Sequence, residues 1–269
     1  MSIRLALFLV LWSIRATAQV EPPKADGFSI PGSFDTFTTD DLGNVYALAG
    51  DELRLFDGKG RSWLRNSVKT FGRIGYIDAF YSLKPMLFAP EQGQIAVLDN
   101  TLSLQGSVIN LPRSGYPQVV AACLSVQNCF WFFDQRELAL VRVDAQLRKI
   151  ADTGRLDQLL GFAPEPRSMQ EHESRLYVSD KRHGVLVFDL FGTFMRTLPI
   201  KDIISFEVRG NVLWSFTSNG FIAYDLLTFE QHPVPMPPDV DNIRDVRVER
   251  GMLYLLTPAA IEVRPLTLP

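Results

Sequence analysis

Aspartate recurs directly after an apolar run at matched places along the chain, namely Asp57, Asp99, Asp144, Asp189 and Asp225. Such carboxylates could bind Ca²⁺ or act as general bases. A calcium site needs roughly six to eight oxygen ligands around one point, whereas these aspartates belong to separate segments. Aspartate also accepts hydrogen bonds from backbone amides two residues further on. We therefore expect these residues to form turns.

The three histidines offer the next candidates for chemistry. His172 lies in a polar stretch, His183 in a hairpin turn and His232 in a loop before Pro233. A zinc site needs about three or four converging ligands, and these histidines are far apart in the chain. The sequence also lacks a Gly-x-Ser-x-Gly motif, a glycine-rich phosphate loop and a His-Glu-x-x-His motif. It therefore nominates no catalytic, metal-binding or cofactor-binding residue.

Cys123 and Cys129 are the two cysteines of the chain, and they flank Val126. This position is the expected turn between two antiparallel strands. Side chains of a non-hydrogen-bonded pair on facing strands approach closely enough for a disulfide, which persists in an oxidising compartment. We expect a disulfide here. Two buried thiols, and a redox or metal role, are the alternatives.

Aromatic and basic side chains are the remaining candidates for binding. Trp131 stands within the run Phe130 to Phe133, and Trp214 lies in another apolar segment. Both tryptophans are expected in the core, although an exposed one could stack on a sugar ring or a partner's side chain. The charged turn Lys181-Arg182-His183 is a candidate binding rim.

A repeat organises all of these residues. Two apolar runs, the first carrying an aromatic residue, recur with a spacing of 37 to 46 residues when aligned on Tyr46, Phe88, Trp131, Tyr177, Trp214 and Tyr254. This period is the length of one four-stranded propeller blade. The sequence therefore predicts an all-β, six-bladed β-propeller.

The last repeat is incomplete, because it stops after its third strand at Ile261 to Arg264. An unpaired outer edge would leave backbone donors and acceptors free. The unassigned segment Gly27 to Ile30 can fill this place. We therefore predict that the N-terminal strand closes the last blade, and that residues 27–269 form a single propeller domain.

The N-terminus has the layout of an export signal over residues 1–18: Arg4, an apolar run from Leu5 to Trp12, and the small residues Ala16 to Ala18. Cleavage would leave an extended leader over residues 19–26, and an uncleaved N-terminal anchor is the alternative. No cysteine lies near the junction, so no lipid anchor is expected. Since no later apolar stretch has membrane-spanning length, we expect a periplasmic or otherwise exported protein without a transmembrane segment.

Charge argues against one class of partner. The formal net charge is −3 among 21% charged residues, and the basic residues are scattered. Nucleic-acid-binding proteins usually carry a basic patch or stripe, so no nucleic-acid partner is expected.

Three segments carry a family resemblance: Asp41 to Tyr46, Leu176 to Asp180, and Val185 to Asp189. They resemble the D-x-x-G-N-x-Y-V-x-D and V-x-V-F-D patterns of NHL-type six-bladed propellers. The segments Phe191 to Phe194 and Leu98 to Ser103 also resemble exported six-bladed propellers of Gram-negative bacteria. The resemblance covers nearly the whole mature chain and implies the same fold.

Three functions fit these observations. The first is a non-enzymatic scaffold of the cell envelope that binds an envelope or outer-membrane protein. The second is a metal-dependent lactonase or lyase of the propeller type, which needs converging Glu, Asn, Asp or His side chains on the inner strands; no such quartet is evident. The third is a glycan-binding module that relies on exposed Trp131 or Trp214.

Overall fold

The computed structural model describes residues 27–67, 71–80 and 84–267. Within these ranges, twenty-four β-strands form six four-stranded antiparallel sheets. Contacts between successive inner strands arrange the sheets in a ring. The predicted six-bladed β-propeller is therefore confirmed. The signal peptide and leader predicted over residues 1–18 and 19–26 lie outside the described residues.

Each blade is a meander whose first strand lies at the axis. Blade 1 contains β2 (Thr36–Thr39), β3 (Val45–Ala49), β4 (Glu52–Phe56) and β5 (Ser62–Ser67). Blade 2 contains β6 (Tyr76–Asp78), β7 (Met86–Ala89), β8 (Gln94–Val97) and β9 (Ile109–Asn110). Blade 3 contains β10 (Val119–Ser125), β11 (Cys129–Asp134), β12 (Ala139–Val143) and β13 (Lys149–Asp152).

The other three blades follow the same order. Blade 4 contains β14 (Pro166–His172), β15 (Arg175–Asp180), β16 (Gly184–Asp189) and β17 (Phe194–Leu198). Blade 5 contains β18 (Ile203–Arg209), β19 (Val212–Thr217), β20 (Gly220–Asp225) and β21 (Gln231–Val234). Blade 6 contains β22 (Asp245–Glu249), β23 (Met252–Leu256), β24 (Ala260–Pro265) and β1 (Phe28–Pro31). One short helix, α1 (Leu156–Leu160), connects blades 3 and 4.

The N-terminal strand closes the ring as predicted. β1 pairs antiparallel with β24, with Phe28 opposite Val263 and Pro31 opposite Ala260. Ile30 is fully buried in the apolar cluster between blades 6 and 1. The pairing covers the edge of β24, which would otherwise present unpaired backbone groups.

The hydrophobic core lies between the blades. Six apolar clusters are present, and each draws its side chains from two neighbouring blades. Both faces of a blade are therefore buried, and β11 is buried along its whole length. This explains why its sequence is a continuous apolar run and does not alternate between apolar and polar residues.

The recurrent aspartates form turns, as expected. In the turn after β4, Asp57 Oδ1 accepts hydrogen bonds from the backbone amides of Lys59 and Arg61 at 3.0 and 2.9 Å. Equivalent bonds are made by Asp99, Asp144, Asp189 and Asp225. Bonds from the backbone and side chain of Arg148 hold the pKa of Asp144 below its usual value. These carboxylates therefore stabilise the connections to the outer strands.

Candidate functional site

The two cysteines are free, buried thiols. Ser125 pairs with Cys129, so Cys123 lies opposite Trp131 and not opposite the other cysteine. The turn is the three-residue 3₁₀ segment Val126–Asn128, which centres the hairpin on Gln127. The predicted symmetry about Val126 is therefore wrong, and no disulfide forms. Burial raises the pKa of the Cys123 thiol well above its usual value.

The two tryptophans proposed as stacking surfaces belong to the core. Trp131 has 0% exposure, and its Nε1 donates a hydrogen bond to Glu171 Oε2 at 2.8 Å. Trp214 is also buried, and its ring stacks on Phe221 with the centroids 5.9 Å apart. A sugar could reach neither face unless the interblade packing opened.

The candidate rim Lys181-Arg182-His183 forms the turn between β15 and β16. Lys181 Nζ and Arg182 Nη2 lie 3.5 and 3.2 Å from the carboxylate of Glu165. The His183 ring stacks on Phe162 with the centroids 3.5 Å apart. These contacts order the turn and partly neutralise its charge, and its role in binding stays a prediction.

Polar side chains hold the inner strands together at the lower end of the axial channel, which is where these strands end. The axial edge of an inner strand has backbone groups that no further strand pairs. Neighbouring blades supply the partners. The contacts are Asp78 Oδ2 with Leu124 N at 2.9 Å, Gln170 Oε1 with Val208 N at 2.7 Å, Gln170 Nε2 with Val208 O at 3.1 Å, and a carboxylate oxygen of Glu207 with Val248 N.

Glu171 is the most heavily bonded of these groups. Its Oε1 accepts from Val126 N at 3.0 Å, and its Oε2 accepts from Ser125 Oγ at 2.5 Å and from Trp131 Nε1 at 2.8 Å. Ser125 Oγ in turn accepts from Arg142 Nε at 2.8 Å. Because every one of these donors belongs to blade 3, the Glu171 carboxylate fastens blade 4 to blade 3.

Arg209 fills the lower end of the channel. Its guanidinium lies over the Phe80 ring, 4.6 Å from the centroid, and Phe80 meets the His172 ring edge-on. Arg209 Nη2 donates to Thr39 O at 3.2 Å, and Nε lies 3.0 Å from Glu249 Oε2. The cavity bordered by Arg209 and Phe80 has a volume of about 30 Å³, enough for roughly two water molecules.

Burial also changes the protonation of the channel carboxylates. It raises the pKa of Asp78 and of Glu207, and the charge of Arg209 offsets only part of this effect. The neighbouring Tyr76 hydroxyl has its pKa raised well above the usual value for the same reason. The folded protein therefore holds protons at these sites more tightly than the unfolded chain does.

The upper end of the channel, where the inner strands begin, is built differently. Three successive inner strands contain a β-bulge near their first residue, at Val120, Arg167 and Ile204. All three residues are exposed. A bulge leaves one residue outside the regular ladder and redirects its side chain. The upper mouth thus presents one cation and two apolar side chains to solvent.

A groove leads from this mouth between blades 1 and 2. Val120 and Arg167 line a recess of about 80 Å³ with Tyr76. The recess shares Gly75 and Pro90 with a concavity of about 710 Å³, a size typical of ligand clefts. We call this concavity the upper groove, defined by Asp35, Asp51, Arg73, Gly75, Pro90 and Glu91.

Charged side chains line both the upper groove and the adjoining recess. Asp35, Asp51 and Glu91 border the groove together with the single cation Arg73. In the recess, Arg167 Nη1 donates to Ile203 O at 3.3 Å, and no carboxylate of the described residues forms an ion pair with Arg167. The groove is therefore predominantly acidic, whereas the recess carries a cation.

Sequence reasoning missed both ends of the channel. A signal existed for the lower end, because Asp78 and Glu207 interrupt otherwise apolar inner strands. The bulges and the upper groove arise from loop conformation and strand register, and no residue type marks them in the sequence.

The described ranges contain no group of three or more His, Cys, Asp or Glu side chains that could hold a metal ion. In the same ranges, no helix has the length and apolar character needed to cross a membrane.

Comparison with known proteins shows the fold. No protein-family model and no curated protein matches the chain. A catalytically inactive virginiamycin B lyase from Staphylococcus aureus with quinupristin is 9% identical with a TM-score of 0.59, over 90% of this chain and 99% of that chain. BBS1N in complex with ARL6DN is 14% identical with a TM-score of 0.55, over 87% of this chain and 78% of that chain. The Neurospora crassa Pan2 WD40 domain is 9% identical with a TM-score of 0.54, over 88% of this chain and 90% of that chain. At these identities the likeness shows a shared propeller fold and leaves the function open.

Proposed function

We propose that the protein is a protein-binding scaffold exported to the cell envelope. The observation that carries this proposal is a set of exposed apolar side chains on neighbouring blades. We call this set the perimeter patch; it comprises Met195 and Phe229, which are 42% and 49% exposed and line one groove, together with Phe191 and Leu227, which are 80% and 66% exposed in the turns before β17 and β21. Exposed apolar patches on soluble proteins commonly mark interaction sites.

The surroundings of the perimeter patch suit a protein partner. Met195 and Phe229 line one groove between blades 4 and 5, together with Arg175 and Arg196. The Arg196 guanidinium lies over the Phe229 ring, 4.7 Å from the centroid. Aromatic residues, methionine and arginine are enriched at protein interfaces. The patch therefore fits an apolar partner surface that also carries acidic groups.

The use of the inner-strand carboxylates favours binding over catalysis. Asp78, Glu171 and Glu207 each accept a backbone hydrogen bond from a neighbouring blade. These bonds join neighbouring blades, which gives the three carboxylates a structural role, and a buried backbone donor that lost its acceptor would carry a free-energy cost.

Two further observations support the proposal. The export-signal pattern over residues 1–18 supports a location outside the cytoplasm. Among the similar folds, BBS1N is bound to ARL6DN, which supports a protein-binding role for a propeller of this kind.

Affinity capture from envelope extracts tests the proposal. The mature chain, isolated from the periplasmic fraction and starting at Gln19, serves as bait beside a Phe191→Ser/Leu227→Ser variant. We expect one envelope protein to be enriched by the wild type and reduced about tenfold by the variant, because two exposed apolar anchors are lost. Trp63→Ser, which removes an exposed apolar side chain on blade 1, is the matched control and retains the partner. Equal capture by the wild type and the perimeter variant contradicts the proposal.

A further inference from the structure

We propose that the upper groove binds the C-terminal end of an extended peptide, with the terminal carboxylate at Arg167 and the last side chain in the adjoining recess. This inference rests on the proposed scaffold function and specifies the chemistry of a partner segment. The site lies at the upper mouth of the channel and is separate from the perimeter patch.

Arg167 has the position and the free hydrogen-bond donors that binding of a carboxylate requires. The bulge between Pro166 and Ser168 takes Arg167 out of the β14 ladder, and its side chain is exposed at the mouth. One guanidinium nitrogen donates to Ile203 O, which fixes the orientation of the group. The rest of the planar fork remains for a carboxylate, which arginine binds with two parallel hydrogen bonds.

The recess beside Arg167 suits an apolar side chain. Its walls combine the side chains of Tyr76, Phe88, Val120 and Ala122 with the polar Ser168, and its volume is about 80 Å³. An apolar group placed there is removed from water while the neighbouring carboxylate stays with the cation. An inorganic anion would use Arg167 and leave these walls uncovered, so this combination favours a chain terminus over phosphate.

The upper groove provides the path for the rest of the peptide. It adjoins the recess, and the two share Gly75 and Pro90 in their walls. A Cβ atom at Gly75 would lie 2.9 Å from Pro90 Cδ, so a larger residue would displace Pro90 and alter this passage. The carboxylates of the groove, among them Asp51 and Glu91, favour a lysine or arginine in the peptide before the terminus.

A peptide-binding measurement tests the inference. The probe is the fluorescein-labelled heptapeptide Lys-Ala-Ala-Ala-Ala-Ala-Leu, made with a free C-terminal carboxylate and as the C-terminal amide, and binding to the mature protein is followed by fluorescence polarisation. We expect the free acid to bind about tenfold more tightly than the amide, because the amide cannot accept charge-assisted hydrogen bonds from Arg167.

Substitutions at arginine residues test whether the preference for the free acid depends on the groove. Arg167→Ala should abolish the preference for the free acid, and Arg167→Lys should retain part of it because the charge remains. Arg148→Ala, which removes an exposed arginine in the turn after β12 and outside the groove, is the control and keeps the full preference. Inorganic phosphate should compete only weakly, because it leaves the recess uncovered.

Three outcomes overturn the inference: equal binding of acid and amide, an unchanged preference in Arg167→Ala, or no binding of the free acid up to about 1 mM. Each leaves the scaffold proposal standing if capture of an envelope protein still depends on Phe191 and Leu227. Conversely, acid-specific peptide binding without any captured partner contradicts the scaffold proposal alone. Circular dichroism of each variant confirms that the fold is retained.

Discussion

The lower and upper ends of the channel are built from the same inner strands, yet they use these strands in opposite ways. At the lower end, Asp78, Gln170 and Glu207 complete the backbone pairing of neighbouring blades. At the upper end, bulges at Val120 and Arg167 release side chains from the ladder and turn them toward solvent.

This difference separates structural polar groups from candidate binding groups. A buried carboxylate whose oxygens all accept hydrogen bonds acts as a joint between blades. An exposed arginine that a bulge lifts out of the ladder, beside an apolar recess, has the features of a binding group.

Removal of Glu171 should have the largest effect. In Glu171→Ala, the amide of Val126, the hydroxyl of Ser125 and the indole N–H of Trp131 lose their common acceptor in a buried place. We expect a loss of about 3–5 kcal/mol in the free energy of unfolding, since each buried donor left unpaired costs roughly 1–3 kcal/mol. Urea unfolding followed by tryptophan fluorescence measures it.

Glu230→Ala is the control for this variant, because Glu230 is an exposed glutamate of blade 5. It should change the free energy of unfolding by less than about 0.5 kcal/mol. If both glutamate variants were equally stable, the lower end would not be held by its buried acceptors.

Asp78→Asn should change how stability depends on pH. The pKa of Asp78 is raised by burial in the folded protein, where Arg209 and Glu171 are the charged groups that act on it. A carboxyl group whose pKa is higher in the folded protein than in the unfolded chain stabilises the fold when it is protonated. This contribution is complete below the pKa of the unfolded chain, near 3.9, and is lost as the pH rises through the pKa of the folded protein. The stability of the wild type relative to Asp78→Asn should therefore fall as the pH rises above about 4.

Asp144→Asn provides the opposite case. The pKa of Asp144 is lowered in its exposed turn, so its contribution is present above the unfolded pKa and is lost as pH falls through the folded pKa. As the pH falls, the free energy of unfolding of the wild type should therefore decrease relative to that of Asp144→Asn. Chemical unfolding at several pH values measures both differences, and slopes of the same sign would refute the distinction.

Much of the fold could be predicted from sequence because propeller blades repeat. The aromatic of each second strand and the aspartate at the end of five of the six third strands mark the period, and the missing last strand required Gly27 to Ile30 to close the ring. These features are local or periodic. The structure confirms each of them.

The candidate site was far less predictable, since it depends on register and on contacts between repeats. The centre of the turn lies at Gln127, one residue beyond the expected Val126, and this shift places Cys123 opposite Trp131 and not opposite Cys129. The bulge at Arg167 likewise reflects the register between β14 and β15. Neither register is encoded by residue type at the position concerned.

Tyr76→Phe should have an intermediate effect, because Tyr76 lies between the two ends of the channel. Its hydroxyl donates to the carbonyl oxygen of Met169 at 3.0 Å, which ties blade 2 to blade 4 across the axis. Loss of this half-buried hydrogen bond should lower the free energy of unfolding by about 1 kcal/mol. Thermal unfolding checks the value, and no change would indicate that the bond does not contribute to joining the blades.

Val120→Ala should have the smallest effect, and the adjacent Val119→Ala provides a matched comparison within one strand. Val120 is 37% exposed at the bulge, whereas Val119 is 3% exposed in the core. The same two carbon atoms are removed in both variants. We expect Val120→Ala to lower the free energy of unfolding by less than about 0.5 kcal/mol. Val119→Ala should lower it by about 2 kcal/mol, because buried apolar surface is lost and a cavity is left behind. Urea unfolding of the pair measures the contrast. Equal losses would mean that the bulged side chain packs as part of the core, and the upper mouth would then present no apolar surface at that position.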